Sequence, residues 1–168
     1  MQQNNLKQNS MGKMMSIQPN HIEWKCHRFT DLSLTDLYAL LQLRQEVFVV
    51  EQQCPYLDAD GQDHEAHHHM GFIQGKLALY TRLFYINHKR EGIIGRVIVK
   101  NTYRGLGLGY KLMQESERQC IQLHSPRLIT LGAQAHLQSF YSQLGYTVYG
   151  EEYDEDGIPH LPMRKFIP

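Results

Sequence analysis

Apolar and polar residues alternate over Ile22-Glu23-Trp24-Lys25-Cys26-His27, which predicts a half-buried first strand. Ser33, with Asp36 three residues on, reads as a helix N-cap. Behind it Leu37, Leu40, Leu41, Arg44 and Phe48 share one helical face. His67-His68-His69 opens a strand that runs to about Gln74, and Gly75-Lys76 turns the chain back into a strand from Leu77 to Tyr85. Asn87-His88-Lys89-Arg90 is the next turn. It leads into Ile93-Ile94-Gly95-Arg96-Val97-Ile98-Val99, an apolar, β-branched run expected to be a buried strand. Gly109, Leu112, Met113, Ser116 and Cys120 then fall on one helical face, up to a stop at Ser125-Pro126. Leu128 to Ala133 predicts another strand and Gln134 to Leu144 a short helix, ended by Gly145-Tyr146. Tyr146 to Glu152 and His160 to Phe166 are expected to be the last two strands, joined by Asp154-Glu155-Asp156-Gly157-Ile158-Pro159. Residues 1–20 are polar, rich in Gln and Asn and without periodicity. They predict a flexible tail, with Met11, Met14 or Met15 as alternative starts, ahead of one domain over residues 21–168.

Composition narrows the classes this pattern can serve. The 168 residues suffice for one domain with a sizeable core. Lysine plus arginine equal aspartate plus glutamate, 17 each, so no global field draws in nucleic acid or an anionic membrane. No apolar run approaches the roughly 18 residues of a membrane span. Cys26, Cys54 and Cys120 are odd in number and widely spaced, which predicts a reducing, cytoplasmic setting. No metal is expected. Consecutive histidines on a strand alternate faces, and the calcium-like spacing of Asp58-Ala59-Asp60-Gly61 lacks its closing glutamate.

The candidate chemistry centres on Arg104-Gly105-Leu106-Gly107-Leu108-Gly109, between a strand and a helix. The first amides of a helix have no internal partners and the helix dipole adds partial positive charge there. Glycine lets a ligand approach the backbone, so the natural guest is a phosphate or pyrophosphate. A P-loop would close with Gly-Lys-Ser/Thr, and a dinucleotide fingerprint would read Gly-x-Gly-x-x-Gly; neither is present. Two segments are acidic: Glu51 to Glu65 with Asp58, Asp60 and Asp63, and Glu151 to Asp156. Brought together, they would make a cleft for a cation, whereas apart they are solvated loops.

Arg104-x-x-Gly107-x-Gly109 after a strand resembles the acetyl-CoA signature of the GCN5-related N-acetyltransferase (GNAT) family. Phe140-Tyr141-Ser142-Gln143-Leu144-Gly145-Tyr146 resembles the second motif of that family. Several runs are similar to the bacterial ElaA subfamily: Leu43-Arg44-Gln45-Glu46-Val47-Phe48-Val49-Val50-Glu51-Gln52, Cys54-Pro55-Tyr56, Asp58-Ala59-Asp60-Gly61, Gly132-Ala133-Gln134-Ala135-His136-Leu137-Gln138 and Glu155-Asp156-Gly157-Ile158-Pro159-His160. The resemblance covers roughly Ile22 to Phe166. It implies an α/β (α+β) fold: a single GNAT-type domain with a central mixed, mostly antiparallel sheet flanked by helices. It implies acetyl-CoA as co-substrate, with the backbone of Arg104, Gly105, Leu106, Gly107, Leu108 and Gly109 on the pyrophosphate. Val97, Ile98 and Val99 would pair with the pantetheine arm. Gln134 stands where many members carry a cofactor-contacting asparagine, and Tyr141 at the catalytic tyrosine position, as proton donor to the leaving thiolate.

The implied activity is direct transfer of acetyl to a primary amine of a cationic acceptor, small molecule or peptide. Glu51, Asp58, Asp60 and Asp156 would hold the charge of that acceptor. Histidine as a residue type exchanges protons near neutral pH, so His160 is the expected base, with Glu46 or Glu51 as alternatives; His136 reads equally as a helix-terminus residue. The competing expectation is a non-catalytic acyl-CoA sensor or an interaction module. Relatives of the family commonly form dimers, so a homodimer is among the expected states.

Overall fold

A computed structural model describes residues 21–168, and the expected flexible tail over residues 1–20 lies outside the described residues. Eight strands form one sheet: β1 (Glu23–Arg28), β2 (His67–Ile73), β3 (Lys76–Ile86), β4 (Glu91–Val99), β5 (Leu128–Gln134), β6 (Thr147–Val148), β7 (Tyr153–Glu155) and β8 (Ile158–Phe166). The order is β1-β2-β3-β4-β5-β8-β6, with β7 also on β8. Every pair is antiparallel except β4 with β5, which the helix α2 (Leu108–His124) joins as a crossover. The mixed, mostly antiparallel sheet expected from the family resemblance is thus present. No described helix is long and apolar enough to cross a membrane.

The α1 helix (Leu34–Arg44) starts where expected, with Ser33 Oγ accepting the Asp36 amide at 3.0 Å. Gln45–Glu51 continues it as a π-helical stretch. The fully buried stripe is Leu40, Leu43, Arg44 and Val47, and the expected Leu37, Leu41 and Phe48 pack half-buried along its sides, so the stripe is centred slightly off the expected one. This stripe packs with Met70, Phe72, Tyr80 and Ile98 on one sheet face. On the other face α2 lays Leu108, Leu112 and Met113 against Leu79, Leu83 and Ile94. Ser116 and Cys120 of the expected α2 stripe are buried too. Buried beside Ser116 are His69 and Thr81; His69 Nδ1 lies 3.0 Å from Ser116 Oγ and its ring stacks on Trp24 at 4.9 Å.

In β4 the alternation of faces breaks. Ile94 packs with the α2 layer but Ile98, four residues on, packs with α1. Even spacing should keep both on one face, so an extra residue intervenes. That residue is in the Arg96-Val97 bulge, where the two face Thr81 alone between the Arg82–Gly95 and Tyr80–Ile98 pairs and Arg96 adopts φ +52°.

The carboxy-terminal expectation needs correction. The strand expected over Tyr146 to Glu152 pairs with β8 only at Thr147 and Val148. Tyr149 still donates to the Pro162 carbonyl at 3.1 Å, but Pro162 has no N–H to return. The chain therefore leaves the ladder and re-pairs as β7 through a turn at Asp156-Gly157, both at positive φ. The β2–β3 hairpin turns at Gln74-Gly75, one residue before the expected position.

Candidate active site

The glycine turn is shaped by conformation, not by crowding. Gly105 and Gly107 sit at φ +76° and +72°, and a Cβ at either would meet nothing within 4 Å. Glycine is required there because the left-handed region strains other residues. Gly109 is different: its Cβ would come within 3.3 Å of Phe140, so this helix turn and α3 (Gln138–Gln143) approach closely because it has none. Gly107 is the N-cap of α2 with no side chain capping it, and no acidic residue stands in the first turn. The leading amides therefore keep their donors, with the positive end of the dipole behind them. Arg104 donates from Nε to the Val99 carbonyl at 2.9 Å, and its guanidinium pairs with Glu51, Nη2 to Oε2 at 3.1 Å.

Beside this turn the sheet opens. The parallel β4–β5 ladder runs only from Glu91, Gly92 and Ile93 to Leu128, Ile129 and Thr130. Past Ile93 the edge of β4 facing β5 pairs with no strand among the described residues. The two strands enclose a cleft of about 820 Å³ that reaches from Gly105, Gly107, Leu108 and Gly109, along Val97, Ile98 and Val99, to Gln134, Tyr141 and His160. Open β4 backbone beside uncapped helix amides suits an extended ligand carrying amides at one end and phosphates at the other.

Tyr141 is the one buried residue of α3. Phe140 and Tyr146 meet its ring edge-on, with centroids at 4.9 and 6.1 Å. Its hydroxyl bonds to no protein group among the described residues, and burial pushes its pKa up to about 12, so it is a proton donor throughout the neutral range. Gln134 and His160 are register partners at the end of β5 and the start of β8. His160 Nδ1 lies 2.8 Å from the Ile158 carbonyl. A carbonyl only accepts, so in the neutral ring Nδ1 carries the hydrogen and Nε2 keeps its lone pair. Tyr153 stacks on the same ring at 5.7 Å.

The two acidic segments, alike in sequence, differ in the fold. Asp58 is buried and receives Arg44 Nε at 2.6 Å, Arg96 Nε at 2.7 Å and the Tyr56 hydroxyl at 3.0 Å. Asp60 binds Arg82 through both oxygens, at 2.8 and 2.6 Å. Asp63 binds Arg44 at 2.6 Å and Arg82 at 2.9 Å. The Arg82 hydrogen bonds hold the Asp60 carboxyl well below the usual range. Burial alone would raise Asp63, but Arg44 and Arg82 outweigh it and lower it. Three arginines thus neutralise three aspartates, and Asp58 and Asp60 present no free charge to a ligand; neither lines the cleft. Glu155 and Asp156 do line it, and neither makes an ion pair among the described residues. The Cys54 thiol donates to the Asp156 carbonyl at 3.3 Å and ties the two segments together at that end.

Glu46 also departs from expectation. Its carboxylate takes Lys100 at 2.8 Å and lines a separate groove between α1 and the β2–β3 hairpin. That location leaves it outside the cleft that holds Tyr141 and His160. Glu51 lines the cleft but is held by Arg104, and the Leu106 side chain points to solvent, so only its backbone belongs to the turn. The residues missed in the sequence are Arg82, Arg96 and Tyr56, and Asp63 was read only as part of an acidic run. The available signal was Arg44, a charge in the middle of an apolar helix face, which demands a buried partner.

Comparison with known proteins agrees with this geometry. A family model described as an acetyltransferase (GNAT) domain matches residues 44–167. ElaA of Escherichia coli is 44% identical over 149 residues, 87% of this chain and 97% of that protein. Its crystal structure superposes with a TM-score of 0.80 at 42% identity, covering 86% of this chain and 99% of the other. An acyl-CoA N-acyltransferase from Pseudomonas aeruginosa gives a TM-score of 0.81 at 44% identity, with the same coverage. The PaiA N-acetyltransferase from Thermoplasma acidophilum, solved with coenzyme A, shares the fold at a TM-score of 0.62 and 16% identity, over 86% of this chain and 99% of that one. The chain belongs to the GNAT acetyltransferase family, in its ElaA-like branch.

Proposed function

We propose that this acetyltransferase moves the acetyl group of acetyl-CoA directly to a primary amine of a cationic acceptor. The observation that carries the reading is one cleft in which the uncapped start of α2, the unpaired edge of β4 and the Tyr141 ring meet. Acetyl-CoA supplies a thioester whose acyl carbon is open to attack. The backbone of Gly105 to Gly109 holds the pyrophosphate, with Arg104 adding charge beside it. Val97, Ile98 and Val99 offer a strand edge to the pantetheine amides, and Gln134 adds a carboxamide. A β4 amide aimed at the thioester oxygen stabilises the charge that develops there.

His160 Nε2 takes the proton that the acceptor nitrogen must lose. The nitrogen attacks the acyl carbon, the carbon–sulfur bond breaks, and Tyr141 gives its hydroxyl proton to the departing sulfur. Asp156 and Glu155 supply the free carboxylates at the acceptor end, and Glu51 joins them only when Arg104 releases it. This replaces the sequence expectation that Asp58 and Asp60 hold the charge. No cysteine is needed, because the amine attacks the thioester itself.

The test is thiol release from acetyl-CoA over a panel of polyamines, amino sugars and peptides, with products identified by mass. N-acetylated cationic amines are expected. A neutral alcohol or thiol that outperforms every amine would overturn the cationic acceptor. Binding of acetyl-CoA without release over the whole panel would make the chain an acyl-CoA sensor.

A further inference from the structure

Of the arginine–aspartate network only Arg96 reaches the cleft wall, and no member has a part in the reaction proposed above, yet the network holds the one element that opens the cleft. Arg96 is the bulge residue of β4, at φ +52°, a conformation that costs a residue with a Cβ on the order of 1 kcal/mol and persists only where surroundings enforce it. Glycine, the usual residue for a left-handed bulge position, stands one place earlier, at Gly95. What enforces φ at Arg96 is visible. Its Nε donates to Asp58 at 2.7 Å, Nη2 lies 3.5 Å from Asp60, and the guanidinium packs 5.7 Å from the Phe48 ring centroid.

The partners of Arg96 are themselves fixed. Arg44, fully buried, binds both the carboxylate and the carbonyl of Asp58, at 2.6 and 2.8 Å. Arg82, on β3, anchors Asp60. The clamp thus ties the bulge to α1, to β3 and to the loop that carries Tyr56 into the cleft wall. The bulge decides which way β4 faces beyond Gly95: with it, Ile98 turns to α1. A β4 without the extra residue would put Val97 in that position and present a different set of amides to the cleft.

We propose that Arg96 is a positioning residue for acyl transfer: clamped by Asp58 and Asp60, it holds the β4 bulge and so sets the strand edge that receives the acyl-carrying arm. The proposal rests on the acetyl-CoA reading of the cleft. It separates two parts of one ligand, because the phosphate-binding turn lies beyond the clamp and the β4 edge depends on it.

The experiment compares acetyl-CoA with 3′-phospho-ADP, which carries the phosphates and lacks the arm, by calorimetric titration of the parent, Arg96→Gly and Arg96→Lys. Glycine accepts positive φ freely, so Arg96→Gly removes the clamp without adding backbone strain. The advantage of acetyl-CoA over 3′-phospho-ADP should fall by about tenfold in Arg96→Gly, with 3′-phospho-ADP affinity within about twofold of the parent. Arg96→Lys keeps one charged donor to Asp58 and should recover part of the loss. It also carries the test if the glycine variant fails to fold, since it then should lose part of the advantage relative to the parent. An unchanged ratio in the folded variants overturns the clamp, as does a uniform loss for both ligands, which is a merely structural effect. A parent that binds neither ligand overturns the acetyl-CoA reading and the clamp with it.

Discussion

Tyr141 and Asp156 are the single residues on which most of the proposed chemistry turns. Tyr141 is buried by Phe140 and Tyr146 while its hydroxyl bonds to no protein group among the described residues. Removing that hydroxyl keeps the packing and leaves no buried partner unsatisfied. Tyr141→Phe should therefore stay within about 1 kcal/mol of the parent in stability. Its kcat should fall by about 10²–10⁴ with little change in the acetyl-CoA KM, as for loss of a general acid. Normal turnover with a lowered melting temperature would make it a packing residue. Asp156→Asn should raise the acceptor KM by about two- to fivefold and weaken its salt dependence, the scale of an exposed charge pair. Asp58→Asn should behave otherwise and cost about 3–5 kcal/mol of stability, because it leaves Arg44 and Arg96 facing a neutral group inside the fold. Comparing urea unfolding with acceptor KM in the two variants tells the roles apart. The sequence could not separate these aspartates. Both segments read as acidic runs, and the arginines that neutralise one of them come from α1, β3 and β4, brought together only by the fold.

The strand–turn–helix proposed to receive the phosphates was the element most legible in the sequence, because its signals are local. Three glycines, an apolar β-branched run before them and a helical stripe after them need no distant contact to be read. Ser33 and the stop at Ser125 were legible for the same reason; Ser125 is the C-cap, at φ +46° ahead of Pro126. The β4 bulge was not legible. Its left-handed residue is an arginine, and what holds it is an ion pair spanning 38 positions. The split of the last expected strand was hidden likewise, since it depends on Pro162 of β8 facing Tyr149. For the turn itself, Gly107→Asp is the informative change. Aspartate enters the left-handed region at a cost of about 1 kcal/mol, so the fold should survive, but its carboxylate repels an anion at the helix start. The parent should gain about 5–10 °C in melting temperature at a hundredfold excess of acetyl-CoA over its Kd, and the variant should gain nothing. An undiminished gain would place the phosphates elsewhere.

At the scale of the whole molecule, buried histidines set the response to acid. Burial pushes His69 from 6.5 down to about 4, and His67, His68 and His124 are lowered by burial too. A group depressed in the folded state contributes stability that is complete above its unfolded value and lost as the pH falls toward the folded one. Unfolding free energy should therefore hold steady near neutral pH and fall between about pH 6.5 and 4, by on the order of 3 kcal/mol from His69 alone. Asp60 and Asp63, held low by Arg82 and Arg44, add a further loss below their ordinary value of 3.8. Urea unfolding across that range checks it, and a flat profile would mean that these histidines are solvated. The proposed reaction uses the open cleft for one transfer between two bound partners, with the Cys54 thiol in the cleft wall as the alternative route through the protein. The most direct measurement follows the acetyl group itself. Protein in stoichiometric amount is mixed with acetyl-labelled acetyl-CoA, then with the best amine of the panel, and the label is located by mass spectrometry. Direct transfer requires the label to pass from acetyl-CoA to the amine with none on the protein. Label held on the Cys54 thiol before the amine is added, or left on acetyl-CoA with every amine, would contradict it.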